Sequence, residues 1–189
     1  MAELHVIGEI CGGTEFGSKS AFCKWALKHG QNWEVIEGHD AGQTQVDTGV
    51  DVNEHVWSHP IDIHLVCRAI SGWPKLHLQV WEMDKFGRTD ILGYGMCFIP
   101  AAPGVHTLEV ATWVPSGSGA EEARAFFVGG RPRLRMEEIV HEQGERFRLR
   151  AASAGVVHLR LAVITKDFAV NGIDTGTAKQ EEREVEAQG

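Results

Sequence analysis

Short segments in which apolar and polar residues alternate recur along most of the chain. Within residues 75–83, Leu76, Leu78 and Val80 share one side of an extended backbone, and the residues between them are polar or bulky. A period of two is typical of a half-buried β-strand, because successive side chains point to opposite faces. Comparable runs occupy residues 4–7, 22–29, 33–36, 61–70, 91–99, 105–114, 146–149 and 156–165. Glycine, proline and Asn/Asp separate these runs, so the sequence predicts an all-β fold, an antiparallel β-sandwich of about eight strands.

Two segments depart from the strand pattern. Residues 121–127 (EEARAFF) are mostly helix formers between a Ser/Gly-rich stretch and a Gly-Gly pair, which predicts one short helix in a crossover between strands. Residues 171–189 contain five acidic and two basic side chains and few apolar ones. Such a segment buries too little apolar surface to offset the entropy lost on ordering. We therefore expect one domain over residues 1–170 and an acidic, disordered tail over residues 171–189.

The composition is that of a globular protein with an acidic balance. The 189 residues include 18 Lys+Arg and 26 Asp+Glu, a formal net charge of −8, which argues against a nucleic-acid partner. No apolar stretch approaches the roughly 18 residues of a membrane-spanning helix. Glu3 and His5 stand where a signal peptide needs basic and then apolar residues, so an intracellular protein is expected. The cysteines are widely spaced and are expected to be reduced thiols: Cys11, Cys23, Cys67 and Cys97.

No motif that carries catalytic chemistry is recognisable. The chain lacks GxSxG, HExxH, a phosphate-binding GxxxxGK[ST] loop and a GxGxxG sequence that opens a helix. His55 and His59 are four residues apart, but Pro60 follows directly, so residues 53–62 are interpreted as a loop that leads into a strand. We therefore name no catalytic residue, and an undiscovered enzyme is the least supported class of function.

Three carboxylates near residue 85 form a candidate metal site. Alternation places Glu82 and Asp84 on one side of a strand end, and Asp90 can return across the following loop to face them. Oxygen ligands of this kind suit calcium. The segment resembles the third calcium loop of the C2 domain, an eight-stranded sandwich. The loop at residues 11–21 adds only Glu15, fewer oxygens than calcium takes, so calcium stays an open alternative to a solvated loop.

A wider resemblance covers the chain from Met1 to about Gly172. Its motifs occur together and in this order in B9 domain-containing proteins: FCKW (22–25), GQTQVDT (42–48), WSHPIDIH (57–64), GWPKLHLQVW (72–81), FGR (86–88), GYGMC (93–97), PGxH (103–106), TWxP (112–115), RAFFVGG (124–130) and VHL (157–159). Each motif alone is weak, but the ordered set is specific. The B9 domain is regarded as a divergent C2-like sandwich, which agrees with the strands expected from the alternation.

The resemblance implies a non-enzymatic scaffold without a cofactor. Proteins of this family sit at the base of the cilium, in the transition zone beside the basal body, and thus in the cytoplasm and cytoskeleton. They assemble with other B9-domain proteins, including the Meckel syndrome type 1 protein, in the tectonic-like complex. That complex supports ciliogenesis and forms part of a diffusion barrier for ciliary membrane proteins.

The tryptophans supply the candidate interface. Four of the six lie at strand ends or beside prolines, where they either wedge loops against the sandwich or anchor a partner. The first candidate surface is Trp57, His59 and Pro60, and the second is Trp73 with Pro74. The alternative to partner binding is docking on a membrane, with or without calcium, through Lys85, Phe86 and Arg88. The acidic net charge opposes attraction to anionic lipid.

Overall fold

The computed structural model describes residues 1–115 and 151–173, and these residues form ten strands and one 3-10 turn. The predicted helix at 121–127, the predicted strand at 146–149 and most of the expected tail lie outside the described residues. No helix within the described ranges is long and apolar enough to cross a membrane. The strands are β1 (Ala2–Thr14), β2 (Ser20–Lys28), β3 (Trp33–Gly38), β4 (Ala41–Gln43), β5 (Asp47–Thr48), β6 (Glu54–Cys67), β7 (Lys75–Met83), β8 (Thr89–Phe98), β9 (Gly104–Pro115) and β10 (Ala151–Lys166), followed by the turn Ala169–Asn171.

The strands form one curled antiparallel sheet whose two halves pack against each other as a sandwich. Their order is β3-β6-β1-β10-β9-β8-β7-β2-β4, and β5 pairs with β2. Strands β8 and β9 are joined at a single residue pair, Tyr94 and Trp113, so the sheet bends sharply there. The two halves enclose one main core, to which β1, β2, β6, β7 and β10 all contribute fully buried side chains. The all-β sandwich predicted from the alternation is confirmed.

Strand β1 lies at the centre of one half, between β6 and β10. Its inward side chains Leu4, Val6 and Ile10 are fully buried, as the alternation requires. The alternation predicted a strand over residues 4–7, but β1 continues to Thr14 through a register shift between Ile10 and Gly12. Glycine suits residues 12 and 13 of this strand because neighbouring atoms approach the backbone too closely to leave room for a Cβ atom. A Cβ on Gly13 would lie 2.8 Å from the Trp57 ring.

Strand β6 begins seven residues earlier than the pattern indicated. The expected loop at 53–62 is wrong, since Glu54–Cys67 is one continuous strand. Pro60 is compatible with this strand because β3 pairs only with residues 63–67 of β6. Within residues 1–115 and 151–173, one flank of β6 therefore has no neighbouring strand at Pro60, which is the position a proline can occupy in a sheet.

Candidate interaction surfaces

The turn at residues 84–88 joins β7 to β8, and Asp84 organises it. The Oδ1 atom of Asp84 accepts hydrogen bonds from the backbone N–H groups of Phe86 (2.8 Å) and Arg88 (2.9 Å). The Nε–H of Arg88 donates to Oδ2 at 2.7 Å. These bonds lower the pKa of the Asp84 carboxyl, and the bond from the backbone N–H of Arg88 has the largest effect. The carboxylate of Asp84 is thus used to shape its own turn.

The three carboxylates of the candidate metal site are not brought together. Glu82 and Asp90 are direct partners in the β7–β8 ladder, but Asp84 is turned toward Arg88. Within residues 1–115 and 151–173, no group of three or more His, Cys, Asp or Glu side chains is placed to hold a metal ion. Calcium binding stays a prediction, and Asp84 has a structural role within its own turn.

Trp57, the first candidate anchor, packs inside the sandwich. Its side chain belongs to the main core and is only 9% exposed. The indole N–H donates to the carbonyl oxygen of Ala21 on β2 at 3.1 Å, and the ring lies parallel to that of His55 with centroids 6.3 Å apart. Trp57 therefore links the two halves of the sandwich and offers a partner very little surface.

The neighbours of Trp57 in the first candidate surface lie nearer the solvent. Pro60 is exposed and His59 is half-buried. The His59 ring lies 6.1 Å from that of Trp25, and burial lowers its pKa. Any contact of this segment with a partner would thus involve His59 and Pro60. Partner binding by this segment stays a prediction.

Trp73 and Pro74, the second candidate surface, hold a loop against the sandwich. The indole N–H of Trp73 donates to the carbonyl oxygen of Ile99 at 2.7 Å. Its ring meets that of Trp33 edge-on, with centroids 5.1 Å apart, and also contacts Phe168. Trp73 is half-buried and Pro74 is buried. The pair thus has the loop-wedging geometry that the sequence left open as the alternative to an anchor.

The structure reveals a surface that the sequence analysis did not single out. The outward side chains of β6, β1, β10 and β9 form what is called here the outer face. On it, His5 of β1 lies opposite His64 of β6, and the two rings stack with centroids 4.7 Å apart. His5 Nε2 lies 3.1 Å from Asp62 Oδ1, and His64 Nε2 lies 3.3 Å from Glu3 Oε2. The sequence does contain a signal for this surface, because the residues of β1 that alternate with its buried side chains point outward.

Ion pairs cross the strands of the outer face. Lys166 Nζ donates to Glu3 at 3.0 Å, and this hydrogen bond is the main cause of a lowered pKa at the Glu3 carboxyl. Arg160 donates to Glu9 at 2.6 Å. Exposed apolar side chains lie among these charges. Ile7 is 39% exposed, and Ile164 (52%) and Val105 (74%) are more exposed still.

The fold and these features define the class of protein: an all-β sandwich domain that presents an exposed outer face, with Trp57 and Trp73 packed against the sandwich. The family model "B9-C2: Ciliary basal body-associated, B9 protein" matches residues 4–164. The chain belongs to this B9 family. It is 45% identical over 174 residues to B9 domain-containing protein 2 of Bos taurus, a match that covers 92% of this chain and 99% of the relative.

A second member of the family and a solved structure are also similar. B9 domain-containing protein 1 of Mus musculus is 34% identical over 158 residues, which covers 82% of this chain and 78% of the relative. The C2A domain of plant extended synaptotagmin 1 is 13% identical with a TM-score of 0.43, and the match covers 85% of this chain and 92% of that domain. Family membership gives the chain a ciliary role of the B9 type.

Proposed function

We propose that the chain is a non-enzymatic scaffold component of the ciliary transition zone. In this proposal it binds other B9-domain proteins, including the Meckel syndrome type 1 protein, within the tectonic-like complex. It thereby supports ciliogenesis and the ciliary membrane diffusion barrier. The observation that carries the proposal is the match to B9 domain-containing protein 2 along 92% of the chain.

The related B9 domain-containing protein 1 supports a scaffold made of several similar domains, since its sequence matches most of this chain. The outer face supports it as well, because exposed isoleucine and valine side chains on a sheet surface suit a protein partner.

Co-purification tests this function. The full chain is mixed with B9 domain-containing protein 1 and with the Meckel syndrome type 1 protein. Light scattering after gel filtration then gives the molar mass of the species in each mixture. The C2A domain of plant extended synaptotagmin 1 serves as the control partner. We expect a complex with the B9 proteins only. A chain that elutes as a monomer in every mixture would contradict the scaffold function.

A second candidate function, docking on a membrane, is favoured by the turn at 84–88. Phe86 at its tip is 72% exposed. The Nζ atom of Lys85 lies 5.1 Å from the centroid of the Phe86 ring, and the Cζ atom of Arg88 lies 5.5 Å from it. An exposed aromatic ring between two cations suits the surface of an anionic bilayer.

Flotation tests the membrane function. The full chain and a Phe86→Ala variant are floated with phosphatidylcholine vesicles that do or do not contain phosphatidylserine, in calcium and in chelator. Docking through the turn predicts flotation of the wild-type chain with the anionic vesicles and a marked loss in the variant. If calcium makes no difference, the calcium-assisted form is excluded, and if nothing floats, the membrane function is rejected.

A further inference from the structure

We propose that the outer face of β6, β1, β10 and β9 is the surface that receives a sister B9 domain, sheet against sheet. This inference rests on the proposed scaffold function and states which surface of the domain performs it. It also moves the interface away from Trp57 and Trp73, whose indole rings are engaged inside this domain.

The apolar residues of the outer face lie on adjacent rungs of the sheet. Ile7 is opposite Ala162, which in turn is opposite Val105 on the neighbouring strand. On the next outward rung, Ile164 is opposite His5. Adjacent strands are about 4.8 Å apart and outward rungs about 6.8 Å apart, so these side chains form one continuous patch.

Several other strongly exposed apolar side chains lie on separate elements. Phe86 lies in the turn after β7, Val50 lies in the loop after β5, and Phe98 ends β8. On the outer face, by contrast, adjacent strands of the sheet present neighbouring apolar side chains to solvent.

The charges around this patch favour a protein over an anionic membrane. Four carboxylates, those of Glu3, Glu9, Asp62 and Glu109, lie on this face with two cations, Lys166 and Arg160, so the group is acidic. A basic surface would be needed to attract anionic lipid. Because Lys166 and Arg160 each hold a carboxylate, a partner can cover both pairs without leaving a lone charge buried. The fitting partner is a sheet with an apolar centre and a neutral or basic rim.

The size of the outer face also fits a specific interface. Four strands at about 4.8 Å spacing are about 19 Å wide, and the 13 residues of β1 extend about 44 Å. Their product is about 840 Å², which is close to the roughly 800 Å² that each partner contributes to a standard protein–protein interface. A sister domain that presents its own sheet can cover such a surface.

The test uses charged variants of matched exposure. Ile164→Lys and Val105→Lys place a cation in the patch, and Phe98→Lys is the control because Phe98 is 53% exposed and Ile164 is 52% exposed. The Kd for B9 domain-containing protein 1 is measured with each full-length chain, and Tm confirms folding. We expect affinity to fall about tenfold or more for the two patch variants and to stay within about twofold for Phe98→Lys. If Ile164→Lys does not fold, Ile164→Thr replaces it.

The outcomes separate this inference from the function on which it rests. If the wild-type chain binds and the patch variants bind equally well, the outer face is not the interface, although the scaffold function stands. If Phe98→Lys weakens binding as much as Ile164→Lys, the loss is not specific to the outer face and the inference fails. If the wild-type chain binds neither B9 domain-containing protein 1 nor the Meckel syndrome type 1 protein, both the function and the inference fail.

Discussion

Replacing Trp57 distinguishes a core residue from a partner anchor. Its indole ring is 9% exposed and packs with the main core, and its N–H donates to the carbonyl oxygen of Ala21. Trp57→Ala would leave a cavity between the two halves of the sandwich and remove that hydrogen bond. Trp57→Phe would keep most of the ring volume but leave the Ala21 carbonyl without its indole donor. The two variants therefore separate packing from hydrogen bonding.

The expected losses follow from this environment. Truncation of a buried tryptophan to alanine costs about 3–5 kcal/mol in free energy of unfolding. Loss of the buried hydrogen bond alone costs about 1–3 kcal/mol, which is the expectation for Trp57→Phe. For a chain of this size, 1 kcal/mol corresponds to about 2–4 °C in Tm. Trp57→Ala should thus lower Tm by about 6–20 °C, and Trp57→Phe by about 2–12 °C.

Thermal and urea unfolding of the isolated chain, followed by circular dichroism, measure these losses. Phe86→Ala is the control, because Phe86 is 72% exposed and surface substitutions usually change stability by about 0.5 kcal/mol or less. If Trp57→Ala unfolds within about 2 °C of the wild-type chain yet fails to bind a B9 partner, Trp57 is an anchor and the assignment to the core is wrong.

Three further predictions concern single sites. Gly13→Ala should lower stability by about 1–3 kcal/mol in urea unfolding, since its Cβ would be 2.8 Å from the Trp57 ring, and an unchanged midpoint would contradict this packing. Burial raises the pKa of the Cys23 thiol from 9.0 to about 12, so the stability it contributes is complete below pH 9 and declines as pH rises toward 12. The wild-type chain should therefore lose about 2 kcal/mol more than Cys23→Ala between pH 8 and pH 10.5, and parallel losses would refute this. Asp84→Ala should increase the rate of trypsin cleavage after Arg88, because the turn loses three hydrogen bonds, and an unchanged rate would show that other contacts hold it.

The sequence predicted strands well where alternation was complete and both ends carried a clear signal. Strand β7 has the predicted bounds, because its alternation begins directly after Pro74 and ends at the Asp84 turn. Strands β4 and β5 were missed, since three-residue and two-residue strands are too short to show a period. The extra length of β6 was missed because Pro60 indicated a loop over residues 53–62, although it lies beyond the part of β6 that pairs with β3.

The roles of the candidate site residues depend on contacts that spacing does not encode. A hydrogen bond to Ala21, 36 residues away, holds the Trp57 indole in the core. A hydrogen bond to Ile99, 26 residues away, holds the Trp73 indole. A proline beside each tryptophan suggests an exposed loop, but these long-range hydrogen bonds place both indoles against the sandwich. For Asp84 the deciding contacts are local, yet the acidic pattern alone does not distinguish a calcium ligand from a carboxylate that accepts N–H bonds within its own turn.

The outer face also depends on contacts between residues that are far apart in the sequence. Its ion pairs join residues 151 and 163 positions apart, Glu9 with Arg160 and Glu3 with Lys166, because β1 and β10 pair along nearly their whole length. The face therefore exists only in the folded domain, so any variant that unfolds the sandwich removes the binding surface as well. Core variants such as Trp57→Ala are expected to lose stability and binding together. Ile164→Lys on the surface is expected to lose binding alone, and this separation makes the two sets of variants a test of where the partner binds.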